Sequence, residues 1–254
     1  MVRQHVRAEV TCDCIIYRRG ATQAEKLHSG QREPMTDTLQ IHTLVSMPFA
    51  ENTYIVWRPG RSDALVFDPG LEPDVILQFL RERALQPAAI LNTHGHADHI
   101  GGNEVLKEAY PDAPLIIGNG DSCMLTDANA NLSAPFGLPI VSPPADQLLH
   151  EGDTLDFAGI ALEVLEIPGH SPGHIVFVHR SAPVLVFGGD VLFRGSVGRS
   201  DFPGGSAEML YQGILAKLFT LPDDTVVYPG HGPVTTTGFE KRTNPYVSER
   251  RPNR

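Results

Sequence analysis

The run Thr93-His94-Gly95-His96-Ala97-Asp98-His99-Ile100-Gly101-Gly102 places three histidines and an aspartate within six residues. Histidine is the side chain that most often binds metals near neutral pH, and carboxylate oxygens take the same ions, so the loop reads as a metal site. Residues two apart in extended chain point the same way, which lets His94 and His96 close on one ion. Asp98 and His99 follow where a helix is expected to begin, with Val105, Leu106 and Tyr110 as its periodic apolar positions. The chain turns there, so these two aim elsewhere, toward a second ion. The alternative makes Asp98 a helix N-cap and the histidines a polar surface loop.

Three later stretches repeat one arrangement of apolar strand, glycine, potential ligand and turn. Glu166-Ile167-Pro168-Gly169 leads to His170, Leu185-Val186-Phe187-Gly188-Gly189 to Asp190, and Val226-Val227-Tyr228-Pro229-Gly230 to His231. Glycine permits the sharp backbone path that swings such a side chain into a shared cleft.

The elements that must position these groups are expected as follows. Strands are expected at 39–47, 52–57 and 64–67, where Val, Ile and aromatic residues lie between Pro, Gly and Asn. A helix opens at Leu71-Glu72-Pro73-Asp74, with Val75, Ile76, Phe79 and Leu80 at helical spacing. The strand at 88–91 feeds the histidine loop, and a helix continues through Tyr110. A strand at 114–117 follows, then a stretch to about Pro144 with no clear pattern. Strand character returns at 155–157, 160–167, 175–179 and 184–187, then a helix at about 207–219 and a strand at 225–228. Strands, helix, strand in both halves indicate two sheets with helices outside.

Residues 1–38 differ from the rest. They are polar, basic in patches and without helix or strand period, and are expected to be a disordered leader, with Met35 a second candidate start. Residues 39–254 then form one domain, for which 41% hydrophobic residues supply a sizeable core. A net charge of −10 opposes nucleic acid as a partner, because phosphate binding needs a basic face. No apolar run reaches the length of a membrane span, and no signal peptide is evident. The three cysteines, Cys12, Cys14 and Cys123, fit a reducing compartment, so a cytoplasmic protein is expected.

From about Leu39 to Val247 the chain resembles the metallo-β-lactamase superfamily, and within it the glyoxalase II-like thioester hydrolases. The motifs that carry this are His-x-His-x-Asp-His at 94–99, His170 in Pro168-Gly169-His170-Ser171-Pro172-Gly173-His174, Asp190 after paired glycines, and Gly230-His231-Gly232-Pro233. The resemblance implies a four-layer αββα sandwich with a two-metal site at one edge. By it, His94, His96 and His170 hold one ion, Asp98, His99 and His231 the other, and Asp190 bridges both. Zinc is the ion expected, with iron or manganese as alternatives that an N- and O-rich set also accepts. Two cations sharing a solvent ligand yield hydroxide near neutral pH, which attacks a thioester carbonyl such as that of S-lactoylglutathione, with Asp98 or Asp190 orienting the water. Asp68 and His174 match positions that support the ligands.

Arg199, in Gly198-Arg199-Ser200-Asp201-Phe202, matches a basic residue that holds a glutathione carboxylate; a salt bridge to Asp201 is the competing reading. Only residues 232–254 follow His231, so the chain looks most like the short branch that lacks a C-terminal helical domain, and the substrate is a small acyl thioester, glutathione-derived or not. The rival within the superfamily is the mononuclear-iron persulfide dioxygenase, which uses counterparts of His94, His170 and Asp190. Gly173-His174 and the motif around His231 favour the hydrolase. The acidic balance opposes a nuclease, and the missing export signal opposes a periplasmic lactamase.

Overall fold

The computed structural model describes residues 38–248. The leader expected over 1–38 thus lies, apart from Thr38, outside the described residues, as do Cys12 and Cys14; Cys123 is exposed and unpaired.

Two six-stranded sheets make the centre of the molecule. The first runs in chain order: β1 (Gln40–Ser46), β2 (Glu51–Trp57), β3 (Asp63–Phe67), β4 (Gln86–Leu91), β5 (Leu115–Gly118) and β6 (Gln147–Leu149). β1 to β3 form an antiparallel meander, and β3 to β6 pair in parallel. The second sheet holds β7 (Thr154–Phe157), β8 (Ile160–Glu166), β9 (Ile175–His179) and β10 (Leu185–Gly189). A hairpin, β11 (Leu192–Phe193) and β12 (Ser196–Val197), intervenes before β13 (Val226–Pro229) and β14 (Thr235–Thr236), giving the order β14-β13-β10-β9-β8-β7. Among the described residues, α1 (Pro73–Glu82), α2 (Ala97–Ile100), α3 (Asn103–Ala109) and α4 (Ala207–Ala216) lie between strands, and α5 (Thr237–Thr243) follows the last strand.

The period of two in each strand sorts its side chains into layers. On β2, Tyr54 and Val56 enter a central cluster, while Ile55 enters an outer one. On β3, Leu65 and Phe67 face the centre, and Ala64 and Val66 face out. On β9, Ile175 and Phe177 meet the first sheet, whereas Val176 and Val178 turn toward a third cluster. The central cluster therefore fills the space between sheets, with Phe67 and Phe187 stacked at 4.0 Å. The second cluster buries Ile76, Phe79 and Leu80 of α1 and Leu106 of α3; the third buries Leu210 and Ile214 of α4. The result is the αββα sandwich that the sequence indicates.

Where the structure departs from the sequence reading, the cause is local. The helix expected from Asp98 through Tyr110 is broken into α2 and α3 at Gly101-Gly102. Gly102 packs against the turn at Pro69-Gly70 and donates its N–H to the Pro69 carbonyl at 2.8 Å, leaving no room for a side chain. The helix expected to reach Phe219 leaves α geometry after Ala216 and ends in a 3₁₀ turn, Leu218–Thr220. β6, β11, β12, β14 and α5 are too short or too polar to have shown a period. Among the described residues no helix is long and apolar enough to cross a membrane.

Candidate metal centre

Four connections bring the candidate ligands together at one edge of the two sheets. β4 delivers His94, His96, Asp98 and His99; the β8–β9 turn delivers His170; the end of β10 delivers Asp190; the end of β13 delivers His231. Their donor atoms fall into three overlapping groups: His94, His96 and His170; His94, His99 and Asp190; Asp98, His99 and His231. Within each group every donor lies within 4.8 Å of the others. Asp190 stands between them, one oxygen 3.5 Å from His99 Nε2, the other 3.5 Å from His170 Nε2 and 3.6 Å from His231 Nε2. His231 Nε2 is also 3.4 Å from Asp98.

Backbone and carboxylate contacts aim these rings. His170 donates Nδ1–H to the Arg199 carbonyl at 2.7 Å, and His231 donates Nδ1–H to the Ala50 carbonyl at 3.2 Å, so both turn Nε2 and its lone pair inward. Asp68 accepts the Thr93 N–H and hydroxyl, each at 2.7 Å, and sits 3.2 Å from His99 Nδ1. His174 is in none of the three groups. Its Nε2 accepts the Asp190 N–H at 3.0 Å, which fixes the backbone that carries that carboxylate. Gly230 lies against Asp190 and His99, where any side chain would collide with both.

The donor set fits divalent ions. His94 Nε2, His99 Nε2 and Asp190 Oδ1 are buried and have no hydrogen-bond partner, an arrangement that costs free energy unless a cation accepts their lone pairs. Burial holds His94 well below its ordinary value, reinforced by His99, His174 and His96. Burial, then His170, lowers His96 to about 3. Both rings are thus neutral and free to donate to a metal at pH 7. For His99 burial acts against charge, but Asp98, Asp190 and Asp68 outweigh it and raise the ring well above its usual range. Asp98 is held well below the usual carboxylate range, because His99 and His231 overcome its burial.

These values give one measurable consequence for the metal-free protein. A histidine whose folded value lies below its ordinary 6.5 takes up a proton more readily when unfolded. The stability it contributes is complete above about pH 6.5 and is lost as pH falls toward the folded value. His96 is expected to stay neutral down to about pH 3. A residue-resolved histidine NMR titration checks this, and a change of its ring shifts between pH 5 and 8 would contradict it.

Several supporting residues carry no motif and escaped the sequence reading. Asn52 on β2 donates its side-chain amide to the carbonyls of Pro229 and Gly232, at 3.0 and 2.9 Å, tying the His231 turn to the first sheet. Glu51 beside it is fully buried, and burial pushes its carboxyl well above the usual range. The polar start of β2, Glu51-Asn52-Thr53, was the available signal. Asp121 is the third. It accepts the Gly95 N–H at 3.2 Å, the Ser171 hydroxyl at 2.5 Å and the Gly173 N–H at 2.6 Å, clamping the 94–96 loop to the 170–174 loop.

Removing that clamp has a definite cost. Asp121→Ala strands the buried Gly95 N–H and Ser171 hydroxyl and the half-buried Gly173 N–H, so at about 1–3 kcal/mol for a buried group a loss of roughly 3 kcal/mol in unfolding free energy is expected. Because Gly95 separates two candidate ligands and Ser171 adjoins a third, metal affinity should fall roughly 10- to 100-fold. Denaturant unfolding and metal titration of the variant read the two effects separately.

A family model, the metallo-beta-lactamase superfamily, matches residues 47–231 of this chain. The chain belongs to that superfamily. Within it, the hydroxyacylglutathione hydrolase GloC of Haemophilus influenzae is 36% identical over 214 residues, covering 84% of this chain and all of that protein. A solved structure of TTHA1623 in a di-iron-bound form is 41% identical, with a TM-score of 0.71, over 81% of this chain and 100% of that one. ETHE1 of Myxococcus xanthus is 32% identical, with a TM-score of 0.68, over 82% and 84% of the two chains. As a superfamily member with these His/Asp clusters, the protein is a metal-dependent hydrolase in its general class.

Arg199 borders the cavity above the clusters, but its side chain is engaged locally. Nε and Nη2 each donate to Asp201 at 2.7 Å, and the guanidinium lies 3.9 Å over the Phe202 ring. Its carbonyl, not its side chain, touches the candidate ligands.

Proposed function

We propose that this protein is a two-metal thioester hydrolase of the glyoxalase II kind. The observation that carries the reading is Asp190 lying between two histidine groups, each with its own second and third donors. The similarity to GloC supports the thioester, and the likeness to a di-iron protein supports two ions.

His94, His96 and His170 would hold one ion, Asp98, His99 and His231 the second, and Asp190 both; zinc is the ion proposed, with iron or manganese as alternatives. Bound there, such ions supply Lewis acidity, lowering the pKa of water and polarising a carbonyl. The chain itself does the rest. Asp98 and Asp190 are the carboxylates on the cavity floor, placed to accept a proton from an attacking water and to orient it. His170 and His231 are locked in one tautomer by the Arg199 and Ala50 carbonyls, so they keep their donor nitrogens aimed inward without rearrangement. Asp68 and His174 hold His99 and the Asp190 backbone in place. A thiolate departs without a strong general acid, which agrees with the absence of any lysine among the residues lining the cavity.

The likeness to ETHE1 supports a second reading, the single-iron persulfide dioxygenase. It leaves His96, Asp98, His99 and His231 with no assigned work, which is why the hydrolase is preferred. Thiol release from S-lactoylglutathione and from a simple acetyl thioester tests the proposal. Release that stops with a chelator and returns with zinc, iron or manganese is expected; no release with any of the three contradicts it.

A further inference from the structure

The cavity above the clusters has a volume of about 580 Å³, within the range of small-molecule sites. Its floor is polar and its walls are not. Met47 and Phe49, between β1 and β2, line it together with Leu132, Phe136, Leu138 and Ile140 from the segment between β5 and β6. Met47, Phe49, Phe136 and Leu138 are 57%, 49%, 66% and 62% exposed. Single exposed apolar side chains are ordinary, but four around one opening mark a binding surface.

That surface is built before any ligand arrives. The Asn131 amide donates to the Met124 and Ile140 carbonyls at 3.0 and 2.9 Å. The Ser133 hydroxyl donates to Asn131 Oδ1 at 2.6 Å and accepts the Ile140 N–H at 2.9 Å. These bonds close the segment on itself and hold Phe136 and Leu138 at the rim. They also consume the wall's polar handles. Arg199 is the one Arg or Lys among the lining residues, and its Nε and Nη2 already pair with Asp201. A hydroxyacyl-glutathione brings two carboxylates, for which these walls offer one cation, Arg199, that shares its charge with Asp201.

We infer that the thioesters this site takes carry an apolar acyl arm, a chain or ring of several carbons lying against Phe49, Phe136, Leu138 and Ile140. The inference rests on the hydrolase reading and narrows its substrate class. The test uses the metal-loaded full chain with N-acetylcysteamine thioesters from acetyl to octanoyl, read as thiol release. A parallel calorimetric series measures binding of the uncleavable ethyl and octyl thioethers to the metal-free protein.

kcat/KM is expected to rise roughly threefold per added methylene until the arm fills the cavity, and the octyl thioether to bind at least about tenfold tighter than the ethyl one. Phe136→Asn combined with Leu138→Asn, both at exposed positions, should flatten both series. Thiol release with a flat or falling acyl series overturns the inference and leaves the hydrolase reading standing, as does S-lactoylglutathione outpacing the octanoyl ester. A slope that appears only when the thiol arm is lengthened overturns the acyl assignment. No thiol release from any thioester overturns the hydrolase reading and the inference with it.

Discussion

Asp190→Ala is expected to lower thioester turnover by about a thousandfold or more and to leave the protein unable to retain two ions. Its two oxygens reach His99 on one side and His170 and His231 on the other, so it stands between the proposed ligands of both ions. Losing it removes a shared anionic donor between two cations. The polarisation such a centre supplies is worth several kcal/mol, and about 4 kcal/mol corresponds to roughly 10³ in rate. The fold should survive, since Asp190 ends a strand whose neighbours Phe187 and Val191 carry the packing. Steady-state kinetics, metal analysis and circular dichroism on one preparation separate these effects. Retained turnover above a tenth of wild type would contradict the bridging role.

His231→Ala is expected to have the next largest effect and to distinguish the two readings. His231 faces Asp98 and Asp190 and belongs only to the group it forms with Asp98 and His99. In a two-metal hydrolase its removal should release one ion, keep the other and cut thioester turnover roughly 100-fold. In a single-iron enzyme built on His94, His170 and Asp190, it should leave metal content unchanged. The surroundings favour a local effect, because the turn remains tied to β2 by Asn52 through the Pro229 and Gly232 carbonyls.

The convergence of seven side chains was legible because each follows an apolar strand that ends in a glycine-bearing turn. Parallel or neighbouring strands that end on one edge must deposit such residues together. The αββα layering was legible for a related reason: β2, β3 and β9 alternate between two apolar faces, so both sides of each sheet had to be covered. What stayed hidden was the scaffolding. Asp121, Asn52 and the Arg199 carbonyl act through hydrogen bonds to residues far away in sequence, and no spacing rule announces such a contact.

The segment between β5 and β6 was opaque for a different reason. It holds two 3₁₀ helices, Asn119–Leu125 and Ala134–Phe136, and is otherwise pinned by the Asn131 and Ser133 side chains, and such short helices leave no sustained period in the sequence. Arg199 shows the limit of reading one residue at a time. Its type suits a substrate carboxylate, and the pairing with Asp201, which the sequence reading held as the alternative, is the contact the structure shows.

The most direct test of the central claim is the metal content of protein purified without chelator or added metal, determined by mass spectrometry alongside thiol release from the same sample. Two ions per chain with thioester cleavage is the expected result. One iron per chain, with persulfide-dependent oxygen uptake and no thioester cleavage, would contradict it and leave His99 and His231 as supports rather than ligands.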